Sequence, residues 1–280
     1  TVNDGTGSSV VNASDGAILA GFTADVEFDV VDDANAVAAE VSASGFGAGG
    51  LDEANNLTVS GGNVDVADAA DIQAISGYDG SASDYDITDT AAALISAGDS
   101  ILNKAGVDIV TANDTSVTAN IGGDLAGFTA EIEFDVVDDA NAVAAEVSAS
   151  GFGAGGLDEA NNLTVSGGNV DVADAADIQA ISGYDGSASD YDITDTAAAL
   201  ISAGDSILNK AGVDTVSVTG GPVGASDGAM LASFTADIDF DVADTAANLA
   251  AQVASGVASG SGPDSLDEAD SVFVESGAAV

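Results

Sequence analysis

Apolar and polar residues alternate along short stretches of this chain, and each stretch leads into a run rich in alanine. Val26, Phe28 and Val30 would face inward from a strand while Glu27 and Asp29 face outward, which is the two-residue period of a half-exposed β-strand. The alanine-rich run that follows carries Val, Ile or Leu at helical spacing. The order apolar-Asp-Val/Ile-x-Asp-x-Ala occurs as FDVVDDA (Phe28–Ala34), VDVADAA (Val64–Ala70), YDITDTA (Tyr85–Ala91) and FDVADTA (Phe240–Ala246). The pattern predicts a repeated unit of strand, helix-capping aspartate and short helix.

The second aspartate of each motif stands where a helix N-cap is expected, because its carboxylate can accept the free N–H groups of the first turn. The predicted caps are Asp32 or Asp33, Asp68, Asp89 and Asp244. NAVAAEVSA after Asp33 and TAAALISA after Asp89 then predict helices of two to three turns. Gly45, Gly77 and Gly98 are the predicted helix terminators. LDEANNLTVSGG and GVDIVTAND predict two more strands, followed by weaker helices or none.

These units belong to a longer repeat. Glu27–Asp108 recurs without change as Glu133–Asp214, 106 residues further along, and a diverged third copy opens at Phe234. The predicted organisation is the tail of a preceding repeat (1–21), repeat 1 (22–127), repeat 2 (128–233) and a partial, diverged repeat 3 (234–280). Because the chain starts at Thr1 without an initiator Met or a signal-peptide pattern, we expect a processed product or an excerpt of a longer tandem array.

Strands that alternate with short helices predict an α/β fold. Repeating the unit without a return strand gives a solenoid, with parallel β-strands on one side and short Ala-rich helices on the other. Small alanine side chains suit the close approach of helix and sheet that this arrangement needs. The alternative is a string of tandem all-β sandwich modules, since the period is near the length of one such module. The solenoid is favoured because the Asp-capped alanine runs have helical spacing.

The charge balance excludes several classes of partner. The chain has 48 acidic residues, two lysines and no arginine or histidine, for a formal net charge of −46. Without a cationic surface, binding to nucleic acid or to an anionic membrane is not expected. Cysteine is absent, so disulfides and thiolate sites are excluded. No apolar run approaches the roughly 20 residues that a membrane-spanning helix needs.

The outward aspartates of the predicted strands are the candidate metal ligands. If the strands stack in one parallel sheet, their carboxylates lie about 5 Å apart, which is unfavourable unless a cation intervenes. Ca²⁺ takes six to eight oxygen ligands and would relieve this repulsion. The predicted ligands are Asp29, Asp65, Asp86, Asp108, Asp135, Asp171, Asp192, Asp214 and Asp241. The alternative is an acidic solvated face that holds only diffuse counterions, as in halophilic proteins.

Catalysis is not expected. There is no histidine, and the only lysines are Lys104 and Lys210, so no evident base is present to activate a serine nucleophile. Carboxylate pairs are too abundant to indicate a site. We therefore predict no enzyme activity and no catalytic or cofactor-binding residues.

The four tyrosines fall at two repeated positions. Tyr85 and Tyr191 alternate with aspartates and are predicted to lie in the core. Tyr78 and Tyr184 lie in SGYDGSAS segments, where they anchor a loop or contact a sugar or another partner.

YDITDTAAALISAGDSILNKAGVDIV, VDVADAADIQAI and, most closely, FDVADTAANLAAQ resemble the "DTAANL"-type repeats of very large bacterial and cyanobacterial surface or adhesin-like proteins. The resemblance implies a structural, extracellular protein that extends or assembles as a filament, surface layer or adhesin stalk. Its expected partners are further copies of itself and divalent cations. The alternative is a binding module for glycan or mineral surfaces. The nonapeptide GGxGxDxUx of calcium β-rolls is absent, so the calcium sites of that family do not carry over.

Overall fold

The computed structural model describes residues 9–22, 26–44, 50–151, 156–259 and 266–275, and along them strands and helices alternate. The strands are β1 (Ser9–Val11), β2 (Phe28–Asp32), β3 (Asn56–Val64), β4 (Asp84–Asp89), β5 (Val107–Ala112), β6 (Ile132–Glu133), β7 (Asp135–Asp138), β8 (Asn162–Val170), β9 (Asp190–Thr196), β10 (Val213–Thr219), β11 (Ile238–Asp239), β12 (Asp241–Thr245) and β13 (Ser271–Glu275). The helices are α1 (Ala13–Ala20), α2 (Ala34–Ser44), α3 (Val66–Ala74), α4 (Ala91–Ala97), α5 (Asp99–Leu102), α6 (Ala119–Ala126), α7 (Ala140–Ser150), α8 (Val172–Ala180), α9 (Ala197–Ala203), α10 (Asp205–Leu208), α11 (Ala225–Leu231) and α12 (Ala246–Ser259). Leu51–Glu53 and Leu157–Glu159 form single 3₁₀ turns.

The described strands form three sheets, and the strand pairs with a described register are parallel. The first sheet has the order β1-β2-β3-β4-β5-β6, the second has β11-β10-β9-β8-β7, and the third pairs β12 with β13. Within each sheet, strand order therefore follows chain order. Parallel neighbours need a long crossover, which the helices supply. The α/β class with parallel strands is confirmed, and the all-β sandwich alternative is wrong because sandwich sheets are antiparallel.

The chain divides into two compact units. Residues 1–117, 121–135 and 159–161 form the first unit, and residues 118–120, 136–158 and 162–280 form the second. None of the helices within the described ranges is both long and apolar enough to cross a membrane.

The core of the first unit lies between the strands and the helices that follow them. Phe28 and Val30 of β2, Leu57 of β3 and Leu94 of α4 are fully buried, so the inward face predicted for β2 is confirmed. Gly16 of α1 lies so close to the sheet that a Cβ atom there would be 2.9 Å from Val30 Cγ2. The fold thus uses small helix residues to bring helix and sheet into contact.

The second unit repeats this close approach. A Cβ atom on Gly228 of α11 would lie 2.7 Å from Val242 Cγ2 of β12, and Val242 is fully buried. Gly228 and Gly16 occupy the same place in their helices, four residues after the capping position. A larger side chain at either position would force the helix away from the sheet.

Of the three glycines predicted to terminate helices, one is confirmed. Gly98 follows α4 with a φ of +65°, and its N–H donates to the Leu94 carbonyl at 3.1 Å. Gly77 is not a terminator, because α3 already ends at Ala74 and the Gly77 carbonyl accepts the Leu57 N–H at 2.7 Å. Gly45 lies outside the described residues.

The shared motif does not always fold in the same way. FDVVD and YDITD form β2 and β4 as predicted, and the following alanine runs form α2 and α4. In VDVADAA, Val64 is the last residue of β3 and Asp65 caps α3, so the rest of the motif is helical. The strand predicted over this motif is therefore wrong, whereas the helix predicted after it does form, directly behind β3. The helix α6 also follows β5, beginning at Ala119.

Candidate functional site

Among the described residues, six aspartates lie at or near the C-terminal end of a strand and bond to the first residue of a helix that precedes that strand. In each, Oδ2 accepts the backbone N–H, at N···O distances of 2.6–3.2 Å. These linking aspartates are paired with their donors as follows: Asp32 with Ala13, Asp89 with Val66, Asp114 with Ala91, Asp138 with Ala119, Asp195 with Val172, and Asp244 with Ala225. Each bond satisfies one of the donors that a helix N-terminus leaves without an internal partner.

The other carboxylate oxygen bonds to the next helix. Asp89 Oδ1 accepts the N–H of Thr90, the N-cap residue of α4, at 2.7 Å. Asp138 and Asp195 make the same bond to Asp139 and Thr196, at 2.9 and 2.6 Å. One carboxylate thus joins the N-terminal ends of two successive helices. Since both ends carry a partial positive charge, the negative charge is favourable between them.

The linking role was missed at the sequence level, although the sequence carries a signal for it. The aspartate follows the helix residue that it caps by 19 residues in Asp32, Asp138 and Asp244, and by 23 in the others. A search for aspartates 19 or 23 residues after each helix start would have found it.

Asp114 has no counterpart in the second copy. It accepts the Ala91 N–H of α4 at 2.6 Å, whereas the corresponding position 106 residues later is Gly220. Within the described part of the chain, no carboxylate accepts the Ala197 N–H that begins α9. The two copies therefore differ by one link, just beyond the stretch in which their sequences are identical.

The predicted caps are corrected in part. Asp33 caps α2, since its Oδ1 accepts the N–H groups of Asn35 and Ala36 at 3.0 and 3.1 Å. Asp68 is not a cap: it lies in the first turn of α3, and its own N–H donates to the capping Asp65 at 2.9 Å. Thr90 and Thr245 take the place predicted for Asp89 and Asp244, which are linking aspartates instead. Adjacent polar residues made the two roles indistinguishable in the sequence.

Hydrogen bonds to Asp244 favour its charged form. Asn248 Nδ2 donates to Asp244 Oδ1 at 2.7 Å, and the backbone N–H groups of Ala225 and Thr245 add further bonds. The Asn248 bond first, and these two after it, hold the pKa of Asp244 below its ordinary value of 3.8. This carboxylate is therefore ionised at neutral pH and remains a strong acceptor.

Asp99 and Asp205 fasten a loop to the start of a short helix. Asp99 Oδ1 accepts the N–H groups of Thr129 and Ala130 at 2.9 and 3.1 Å, and Asp205 does the same for Thr235 and Ala236 at 2.8 and 3.1 Å. Desolvation raises the pKa of Asp99, but the bonds from Ala130 and Thr129 outweigh it and lower the pKa overall. Acidic side chains thus hold loops as well as helices.

The nine predicted metal ligands have several different locations. Asp65 and Asp171 are not on strands but cap α3 and α8, which corrects their predicted outward position. Asp29, Asp86, Asp108, Asp135, Asp192, Asp214 and Asp241 do lie on strands, where they are exposed or half-exposed. Their role as calcium ligands stays a prediction.

The register replaces most of the expected carboxylate ladder with amides and hydroxyls. Asp29 lies opposite Asn56, Asp86 opposite Asn63, and Asp241 opposite Ser271. Among the described residues, no group of three or more carboxylates is placed to hold a metal ion. The predicted ladder of facing carboxylates is therefore wrong for these pairs, because strand register was not visible in the sequence.

Acidic neighbours do remain at one irregular point of each long sheet. The β4–β5 register shifts after Tyr85, so Asp86 lies opposite Asp108 and Ile109, and it accepts the Ile109 N–H at 3.3 Å. In the second copy the hydroxyl of Thr215 donates to Asp192 at 2.6 Å. These bulges are the places where the cation prediction is best tested.

The tyrosines are structural. Tyr85 and Tyr191 are buried as predicted, and Gln73 Nε2 donates to the Tyr85 hydroxyl at 2.8 Å. The Tyr78 hydroxyl donates to the Ala105 carbonyl at 2.7 Å, so Tyr78 anchors its loop. Burial, followed by the influence of Tyr85, strongly raises the pKa of Tyr78. Gly106, beside this hydroxyl, has a φ of +99° and leaves no room for a side chain.

Comparison with known proteins gives no assignment: no protein-family model, no curated protein and no solved structure matches this chain.

Proposed function

We propose that this chain is a structural repeat protein, whose parallel strand–helix units stack as a solenoid and extend or assemble outside the cell as a filament, surface layer or adhesin stalk. The linking aspartates carry the proposal. Each one bonds a strand–helix unit to the helix of the preceding unit, and the Asp89 bond to Val66 recurs in the second copy as the Asp195 bond to Val172, at 3.2 Å in both. Repeats that contact only their neighbours through a constant set of bonds are typical of extended scaffolds.

The charge and the resemblance to bacterial surface proteins support an extracellular location. A net charge of −46 keeps an extended surface hydrated and soluble. Antibody labelling of intact producing cells checks the location, and labelling only after the cells are permeabilised would contradict it.

The length added by one period tests the stacking. One period contributes β2, β3, β4 and β5, after which β6 and β7 together take the place of residues 26–32 in the next copy. Four stacked strands add about 19 Å, whereas a separate globular module of this size adds roughly 34 Å. A variant with residues 128–233 duplicated should therefore show a maximum dimension about 19 Å longer by small-angle X-ray scattering. An increase near 34 Å would reject stacking and favour a string of modules.

The outward face of the sheets favours a second candidate, a module that binds glycan or mineral surfaces. Asn63 donates to Thr88 at 2.8 Å and Asn169 to Thr194 at 2.7 Å, so amides and hydroxyls form a polar row across neighbouring strands. A glycan array and adsorption to calcium carbonate test this candidate. Binding of the chain to either surface that is lost in the double variant Thr88→Val with Thr194→Val would support this candidate over a purely structural role.

A further inference from the structure

Lys104 and Lys210 are the only two positions after which a trypsin-like protease can cut this chain. Such proteases carry an acidic pocket that selects lysine or arginine before the scissile bond, and the chain has no arginine. The two lysines are 106 residues apart, so cuts after both would excise one complete period, residues 105–210. Both lysines are exposed, so the charge that the protease recognises is accessible.

The backbone around Lys104 is folded into a turn between α5 and β5. The Lys104 carbonyl, which belongs to the scissile bond, accepts the Val107 N–H at 3.1 Å. The Gly106 carbonyl accepts the Tyr85 N–H at 3.0 Å, which fixes the end of the turn to β4. A protease has to hold its substrate in an extended conformation, so cleavage here requires that the turn first opens. Exposure of the lysine is therefore not sufficient for cleavage.

Tyr78 holds this turn closed from a neighbouring loop. Its hydroxyl donates to the carbonyl of Ala105, the residue immediately after the scissile bond, at 2.7 Å. Gly80 lies so close to the turn that a Cβ atom on it would overlap the Ala105 carbonyl oxygen. The loop is itself bonded to β3, since the Asp79 N–H donates to the Leu57 carbonyl at 2.8 Å. The turn is thus closed by a segment that the sheet holds in place.

The second copy repeats these contacts around Lys210. The Lys210 carbonyl accepts the Val213 N–H at 3.1 Å, and the Tyr184 hydroxyl donates to the Ala211 carbonyl at 2.7 Å. A Cβ atom on Gly186 would overlap the Ala211 carbonyl oxygen. Burial strongly raises the pKa of Tyr184, so this hydroxyl keeps the proton that it donates even in mildly alkaline solution. Each lysine is therefore followed by a residue that a tyrosine holds.

We propose that the hydroxyls of Tyr78 and Tyr184 are latches that keep the two trypsin-type cleavage sites of this chain closed to a protease. A bond to the residue after the scissile bond opposes the local opening that a protease needs, and cleavage then follows the small population of the open turn. The rest of the sequence offers such a protease no other site. This inference goes beyond the proposed structural function and does not depend on it.

Tyrosine-to-phenylalanine substitutions test the latches, because they remove the hydroxyl and keep the ring. The full chain is treated with trypsin, and the initial rate of each cut is followed by denaturing electrophoresis and mass spectrometry. Tyr78→Phe should be cut after Lys104 roughly 2- to 12-fold faster than the unmodified chain, which is the factor expected for loss of one hydrogen bond. Cleavage after Lys210 in the same molecule is the matched control and should keep its unmodified rate. Tyr184→Phe should show the reverse, and the double variant should release residues 105–210 fastest.

The latch is wrong if cleavage after Lys104 is no faster in Tyr78→Phe than in the unmodified chain. Equal acceleration after Lys104 and Lys210 in that variant also excludes it, since this would indicate a loss of overall stability rather than the opening of one turn. Cleavage of the unmodified chain after Lys104 as fast as that of a synthetic peptide of residues 98–110 would show that the turn is open and would exclude the latch as well.

Discussion

At the scale of single residues, many acidic side chains of this protein are structural acceptors. Asp89 bonds to the Val66 and Thr90 N–H groups, and Asp99 bonds to those of Thr129 and Ala130. Backbone N–H groups at helix starts and turns carry partial positive charge. They compensate carboxylates locally in a chain that has only two lysines.

Asp89→Ala removes the bonds to both helices and should lower the free energy of unfolding by about 1–2 kcal/mol. The loss arises because the first N–H of α3 and the capping residue of α4 each lose an acceptor. Urea denaturation followed by circular dichroism measures it.

Asp108→Ala is the matched control for this loss. Asp108 is exposed on β5, so its removal should change the free energy of unfolding by no more than about 0.5 kcal/mol. Equal effects of the two substitutions would contradict a linking role for Asp89.

At the scale of the elements, the alternation of apolar and polar residues predicted β2, β4, α2 and α4, because each of these depends on local pattern. The extent of β3 was not predictable in this way. Gly61 and Gly62 have φ values of +79° and +98°, and the register against β4 shifts at this point. Register depends on contacts with a neighbouring strand, so the residues of β3 that lie opposite Asp29 and Asp86 could not be predicted from spacing alone.

The helix starts also determine how stability depends on pH. The pKa of Asp244 is lowered in the folded state. Its contribution to the free energy of unfolding is therefore complete above about pH 3.8, the ordinary pKa of the group, and is lost as the pH falls through the folded-state pKa. Asp244→Asn should therefore be less stable than the unmodified chain at neutral pH, and the difference should vanish in acid. Thermal unfolding from pH 7 to pH 2 checks this.

Asp68→Asn should show the opposite sign. Desolvation, followed by the charges of Asp65 and Asp71, raises the pKa of Asp68, so its ionised form is disfavoured in the fold. The variant should be more stable than the unmodified chain at neutral pH, with the gain disappearing as pH falls through the raised pKa. A change in stability of the same sign for Asp68→Asn and Asp244→Asn would contradict the environments assigned to these two carboxylates.

At the scale of the whole molecule, the excess of negative charge dominates. Repulsion among 48 acidic residues opposes the compact state, and salt screens it. The melting temperature should therefore rise from low to physiological ionic strength, by roughly 2–4 °C for each 1 kcal/mol of repulsion that is screened.

Specific binding of calcium is distinguished from general charge screening by comparing melting temperatures in different salts at constant ionic strength. If the bulge carboxylates near Asp86 and Asp192 bind Ca²⁺, the melting temperature should be higher in calcium than in magnesium, and a chelator should reverse the gain. Asp86→Asn with Asp192→Asn is the matched variant and should remove the difference. Equal melting temperatures in the two salts would contradict a specific calcium site and would favour an acidic face that holds only diffuse counterions.

The linking aspartates also impose an order on folding during synthesis. The carboxylate that completes the start of α3 belongs to Asp89, which is made 23 residues after Val66. On the ribosome, a newly made helix therefore waits for the strand behind it before its first turn is fully bonded. Each linked helix gains its last N-terminal hydrogen bond from a strand that is made after it. The helix made most recently is therefore the least stable part of the growing chain.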